Sequence, residues 1–313
     1  MLAMNSLIFF IIYKLSWQFD SISDKRYYRI VYTTKKSRLD KASLVLLILF
    51  LFFTTWWVGT YISASFRDKS TVLLSAVYGI VALFGGIYGL SIAKRWGFFK
   101  SYFGKAIILL SFGLLLQEFG QLAYSYLNSI KHVELPYPSI PDIGFFGSIP
   151  MYILAGIYLV KGLGITSIIK RRPIKLLLGI AVPLLILAVS YWFFLKGYST
   201  DGKTNAAIFF DFAYPLGQAI YVSIALVILL SVSKLLGGLM KKPVLILLAA
   251  FLVQYLSDFN FLYQTVHETW GPGRYGDYLY FLAYCTMTYS LIKLNYALKL
   301  PPQQTASEKD QGA

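Results

Sequence analysis

Residues 104–126 read GKAIILLSFGLLLQEFGQLAYSY, an apolar run with one lysine at its start and one glutamate past its middle. About 20 such residues, wound as a helix, cross the hydrocarbon core of a bilayer. Working outward, seven further stretches share that length and character, giving spans at 42–64, 71–93, 104–126, 143–163, 174–195, 206–233, 242–264 and 277–297. Several contain Gly or Pro, as spanning helices tolerate. The expected fold is all-α, a polytopic integral membrane helix bundle of about eight transmembrane helices arranged as four hairpins.

Composition agrees with this reading. The 313 residues are 57% hydrophobic and 14% charged, with a mean hydropathy of +0.62, too apolar for an ordinary soluble domain. Residues 1–41 form a basic N-terminal segment with a short apolar run over 1–19, residues 42–299 the membrane domain, and residues 300–313 a polar tail. No small-residue cleavage pattern follows the apolar run, which reads as interfacial.

The net charge of +15 would fit a nucleic-acid partner only as a basic surface on a folded domain, and here the charge is distributed by side. Segments 14–41, 94–105, 161–175, 234–242 and 293–309 hold 23 of the 29 Lys and Arg, leaving six in the alternate connections. A basic excess marks the cytoplasmic side, so both termini are expected there, in the inner (plasma) membrane. Nine of the 14 acids fall on the opposite side or in the outer half of the spans. The expected partners are the lipid bilayer and no nucleic acid.

Ionisable groups within spans are costly, roughly 2.5–3.5 kcal/mol each at a helix centre, and so become candidate functional groups. Gln117, Gln121 and Tyr124 fall at i, i+4 and i+7 on one face of the third span, with Glu118 at its edge. Gln254 and Asp258 make a matching pair in the seventh span, continued by Asn260, Tyr263 and Gln264. No lysine or arginine lies deep in a span, so these acids are either neutral or paired with a bound cation. A neutral interhelical hydrogen-bond network is the plainer account, and a ligand or cation site the sharper one.

Asp142 in Pro141-Asp142-Ile143-Gly144 fits a helix opening, where a carboxylate satisfies free N–H groups. Asp211 follows an apolar run and precedes Tyr214-Pro215, which places it inside the membrane boundary as a stronger site candidate. The expected ligand-binding set is Gln117, Glu118, Gln121, Tyr124, Asp211, Tyr214, Gln218, Gln254, Asp258 and Tyr263, around an outer-half polar cavity between the third, sixth and seventh spans. A weak repeat accompanies it: Asp68, Asp142 and Asp211 are each followed ten residues later by Tyr78, Tyr152 and Tyr221, and Asp142, Asp211 and Asp277 three residues later by Phe145, Tyr214 and Tyr280. The loop over 134–141 has three prolines and could lid such a cavity.

Enzymatic signals are sparse. Two loop histidines, His132 and His267, with Glu134 or Glu268 nearby, make a weak metal signal, and no phosphate loop, nucleophile elbow or HExxH pattern occurs. Cys285 is the single cysteine, so neither an intrachain disulfide nor a cysteine metal site is available. No cofactor, catalytic residue or metal ligand is expected.

The segment Leu115-Leu116-Gln117-Glu118-Phe119-Gly120-Gln121, followed by Pro136-Tyr137-Pro138-Ser139-Ile140-Pro141-Asp142-Ile143-Gly144-Phe145-Phe146, resembles a group of uncharacterised bacterial multispan membrane proteins over most of 71–297. More loosely, Pro138-Ser139-Ile140-Pro141-Asp142 is similar to the Pro-Ser-x-x-Asp turn of N-terminal membrane sensor regions that precede diguanylate cyclase domains. The resemblance implies a noncatalytic sensor-like or ligand-binding module. No cyclase or kinase domain follows here, so signalling would need a separate cytoplasmic partner. A transporter of a small cation or proton-coupled solute, and a membrane enzyme acting on a lipid-linked substrate, are the alternatives.

Overall fold

A computed structural model describes residues 40–131, 137–167, 173–235, 240–267 and 269–297. The segments at 1–39 and 300–313, the histidine His132 with Glu134, and Glu268 lie outside the described residues, as does the start of the expected proline-rich lid, 134–136. Contacts divide the chain into two units, Met1–Leu44 and Val45–Ala313.

The described chain is helical, without strands: α1 Lys41–Ile62, α2 Ala64–Val77, α3 Ile80–Ala93, α4 Tyr102–Ser125, α5 Ile140–Gly162, α6 Pro173–Ser190, α7 Asn205–Leu235, α8 Lys241–Val266 and α9 Tyr275–Ala297. Since α2 and α3 form one interrupted rod, these helices coincide with the eight expected spans. Among the described residues six helical segments are long and apolar enough to cross a membrane: Lys41–Ile62, Ser70–Trp96, Tyr102–Asn128, Ile140–Gly162, Asn205–Ser231 and Lys241–Thr265. A seventh, Gly179–Leu195, is apolar but shorter. Helix α9 has the length but carries buried Asp277, Thr288, Ser290 and Asn295, which lower its apolar character. The protein is an all-α, multi-pass membrane helix bundle.

Local chemistry sets the helix ends. Ser101 opens α4 by accepting from the Gly104 N–H at 2.8 Å, after a left-handed turn at Gly97 (φ 84°) that ends the preceding 3₁₀ segment. At α5 the Asp142 carboxylate accepts from the Ser139 N–H at 2.8 Å with Pro141 in the first turn, which is the capping role expected for Asp142.

Six helices close into a ring in the order α3, α4, α5, α7, α8, α9, with α9 returning to α3. Small residues let the walls approach: a Cβ on Gly144 would strike the α4 backbone at Leu116 and Gly120, and one on Gly113 would overlap the Tyr152 ring. In three of the four hairpins the two arms pack side by side. In the first, α1 instead lays aromatic rings on α9, Phe53 against Phe281 at 5.6 Å and Trp57 stacked on Tyr278 at 4.1 Å. Helices α1 and α6 stand outside the ring; only 11% of the α1 span is buried, and α6 exposes Ile174, Leu177, Ile180, Leu184 and Leu185. Lipid is the solvent that suits those faces.

Candidate functional site

The ring is polar where its helices meet. On α4, Gln117, Glu118 and Gln121 are all buried. Gln117 donates to the Ser148 hydroxyl of α5 at 2.8 Å and accepts from the Tyr284 hydroxyl of α9 at 3.0 Å, so one amide ties three helices together. Gln121 donates to the Ser75 carbonyl at 2.6 Å and accepts from the Tyr78 hydroxyl at 3.3 Å. These bonds hold the end of α2 against α4.

Across the ring, Asp258 of α8 accepts from three uncharged donors: Tyr221 of α7 at 3.0 Å, Tyr280 of α9 at 2.9 Å and Gln254, one turn earlier, at 3.1 Å. Gln254 is fully buried and its own carbonyl oxygen has no partner among the described residues. Asp277, buried at the head of α9, accepts from the Gly273 N–H at 2.7 Å and from the Ser75 side chain. The aromatic rings of Tyr78 and Tyr284 stack at 6.0 Å, and Tyr284 lies 6.3 Å from Tyr280. Through their hydroxyls and ring contacts, tyrosines thus connect Gln121 and Gln117 of α4 with Asp258 of α8.

Glu118 is the exception among the inner acids. Its side chain is 5% exposed, and its Oε2 atom has no hydrogen-bond partner among the described residues. That oxygen points at Gly79, where the rod of α2 and α3 is interrupted; a Cβ at Gly79 would overlap it. Of the nearby donors, the Tyr78 hydroxyl bonds Gln121 and one N–H of the Gln121 amide bonds Ser75.

Gln117, Glu118 and Gln121 thus lie on α4 and Gln254 with Asp258 on α8, the two groups joined through Tyr284 and Tyr280 of α9, and Gln218 is buried in the ring helix α7. The other four do not join them. Asp211 pairs with Lys203 at 2.9 Å and accepts from Tyr198 at 2.6 Å, because the loop before α7 folds back over its own helix. Tyr214 donates to Asp142 at 2.9 Å and packs on Phe146. Tyr124 meets Trp270 edge-on at 5.7 Å, and Tyr263 stacks on His267 at 4.1 Å. These are partners at the helix ends, not walls of an inner chamber.

In this outer cluster the Asp211 hydrogen bond raises the Lys203 ammonium above its ordinary range, and the same carboxylate raises the Tyr198 phenol. Burial raises the Tyr137 phenol, assisted by Asp211 and Asp142.

Sequence reasoning missed Tyr221, Asp277, Tyr280 and Tyr284 as inner hydrogen-bonding groups, and Tyr152, whose ring meets Tyr221 edge-on at 6.0 Å while its hydroxyl has no partner among the described residues. A signal existed for most of them: Asp277, Tyr280 and Tyr284 fall at i, i+3 and i+7, one helical face, and Tyr78, Tyr152 and Tyr221 share a ten-residue offset from an aspartate. The network is also tightly packed. The pocket that reaches Asp277, lined with Tyr78, Leu74 and Phe281, holds about 10 Å³, at the threshold for a single water. No group of three His, Cys, Asp or Glu that could hold a metal ion occurs among the described residues. No family model matches the chain, and comparison with curated proteins and with solved structures likewise returned no match.

Proposed function

We propose that this protein is a noncatalytic, sensor-like membrane module whose ligand is a proton or small cation taken up by the carboxyl and tyrosine network inside the ring. One observation carries the reading: three acids, Glu118, Asp258 and Asp277, sit among ring helices with uncharged partners or none. Acids so placed are expensive, roughly 2.5–3.5 kcal/mol each on insertion scales. A network packed to the size of a water suits a ligand no larger than an ion. The groups that face these acids are Tyr78 from the α2–α3 interruption, Tyr152 from α5, Tyr221 from α7 and Tyr280 and Tyr284 from α9. Because their bonds join different helices, a change of charge at one acid shifts helix packing.

The basic segments support a cytoplasmic location of the termini at the inner membrane, where a shift of helix packing would be read by a separate protein. The similarity of the Pro138–Asp142 turn to membrane sensor regions is in keeping with this. Cys285 is buried, so labelling of single cysteines introduced at Lys131 and Arg171 tests the orientation. Residue 131 is expected to label from outside and residue 171 from inside; both labelling from one side contradicts the topology.

The direct test is hydrogen–deuterium exchange of the protein in lipid nanodiscs across a pH series. The wild type is expected to change protection in α3, α4 and α9 with pH, and the double variant Glu118→Gln with Asp258→Asn to lose that change while still inserting. A pH response unaltered in the double variant rejects the proposal. The second reading is a transporter of a small cation or proton-coupled solute, favoured by the continuity of the network from α4 through α9 to α8. Liposome flux that disappears with the acids would select it.

A further inference from the structure

We infer that the interruption between α2 and α3 is a binding site for a monovalent alkali cation of about sodium size, with the Glu118 carboxylate as its charged ligand. This deepens the reading above and rests on it. The segment Ser70–Trp96 is apolar enough to span, yet its helix breaks at Tyr78 and Gly79 in mid-course. A break within a span exposes backbone carbonyls that only a protein or ion partner can satisfy. One already takes a side-chain partner: the Ser75 carbonyl accepts from Gln121.

Against this break stands a carboxylate oxygen that is buried and has no partner, the Glu118 Oε2. Glycine at 79 is what allows the approach, since any Cβ would fall on that oxygen, and Gln121 Cγ lies 3.6 Å from the same point. The surroundings are rich in oxygen, and no donor there bonds the Glu118 Oε2. The Tyr78 hydroxyl is bonded to Gln121, the Gln121 amide to Ser75, and Asp277 lies close enough to act electrostatically on Tyr78. What such a group lacks is positive charge.

The size and valence follow from the donors. Oxygen ligands select a hard cation, and an all-protein divalent site draws on several carboxylates. Here one carboxylate, that of Glu118, meets Gly79 at the break, while Asp277 nearby is taken by the Gly273 N–H, and no cluster of three acids, histidines or cysteines occurs among the described residues. A single negative charge is balanced by a single positive one. The tight packing around Gly79 favours a small ion over potassium.

The test uses the full-length protein in nanodiscs, with thermal unfolding followed in sodium, lithium, potassium and choline chloride at matched ionic strength, and the exchange pH series repeated in choline. Sodium is expected to raise the unfolding midpoint saturably above choline, in the wild type and in Asp211→Asn, and to have no effect in Glu118→Gln. Gly79→Ala, which forces the carboxylate away, should lose the same shift. Should Glu118→Gln fail to insert, radioactive sodium bound to the wild type at about one per chain, and displaced by acid, carries the same decision. Equal midpoints in all four salts, with the pH response intact in choline, overturn the cation site and leave the broader reading standing. Loss of both responses overturns the two together.

Discussion

Two groups of acids in this bundle have the same chemistry and opposite surroundings. At the helix ends, Asp142 caps its own helix and accepts from Tyr214, while Asp211 meets an ammonium and a phenol, with side-chain exposures of 39% for Lys203 and 21% for Asp211. Inside the ring, Asp258 and Asp277 accept only from phenols, an amide and neutral donors of the loop and α2, and Glu118 Oε2 from nothing described. Asp211 thus has a charged partner, whereas Asp142 and the inner acids Asp258 and Asp277 are held by neutral donors. Under the proposed function, a change of charge at the inner acids alters helix packing, and one at Asp211 does not.

The largest effect that would break this contrast is at Asp258. Asp258→Ala strands the two phenols and the amide that now donate to it, so the loss in stability is expected to be about 2–4 kcal/mol, read by unfolding in mixed micelles. Asp258→Asn keeps an acceptor oxygen and should cost less than half as much. Equal costs would mean that the charge, not the acceptor geometry, holds α7, α8 and α9 together. Next comes Tyr214→Phe, which removes one donor from Asp142 and is expected to cost about 0.5–1.5 kcal/mol in the same assay.

The smallest effect belongs to Lys203. Its folded value lies above its unfolded one, so its contribution is complete below the ordinary lysine range and fades as pH rises through the folded value. Exposure limits that contribution to roughly 0–1 kcal/mol, and Lys203→Gln should remove it. The variant is expected to match the wild type at strongly alkaline pH and to be slightly less stable at neutral pH. A difference that grows with alkalinity would have the wrong sign for this pairing.

The eight helices were legible because apolar length is a one-dimensional property of the chain. Their arrangement was not, since a helix that is apolar nearly all round gives little sign of which neighbour it faces. Polar stripes were the exception: Gln117, Glu118 and Gln121 marked the inner face of α4, and Gln254 with Asp258 that of α8. Asp211 lies within the span Asn205–Ser231, but it pairs with Lys203 for a physical reason that the spacing did not carry. Left-handed glycines at 197 and 202 turn the loop back on itself, which brings Lys203 to a carboxylate eight residues away. The interrupted rod was equally hidden, because 71–93 reads as one apolar run and Gly79 is only one of several glycines within it.

Carboxyl groups gaining or losing a proton in place have an infrared signature, the carbonyl stretch of the neutral acid. Difference spectra of the protein in lipid, recorded between acidic and neutral pH, test the inner network directly. The expected result is a carboxylic band that appears in the wild type, persists in Asp211→Asn and is reduced in both Glu118→Gln and Asp258→Asn. A spectrum identical in all four proteins would contradict the account, for the acids inside the ring would then be inert.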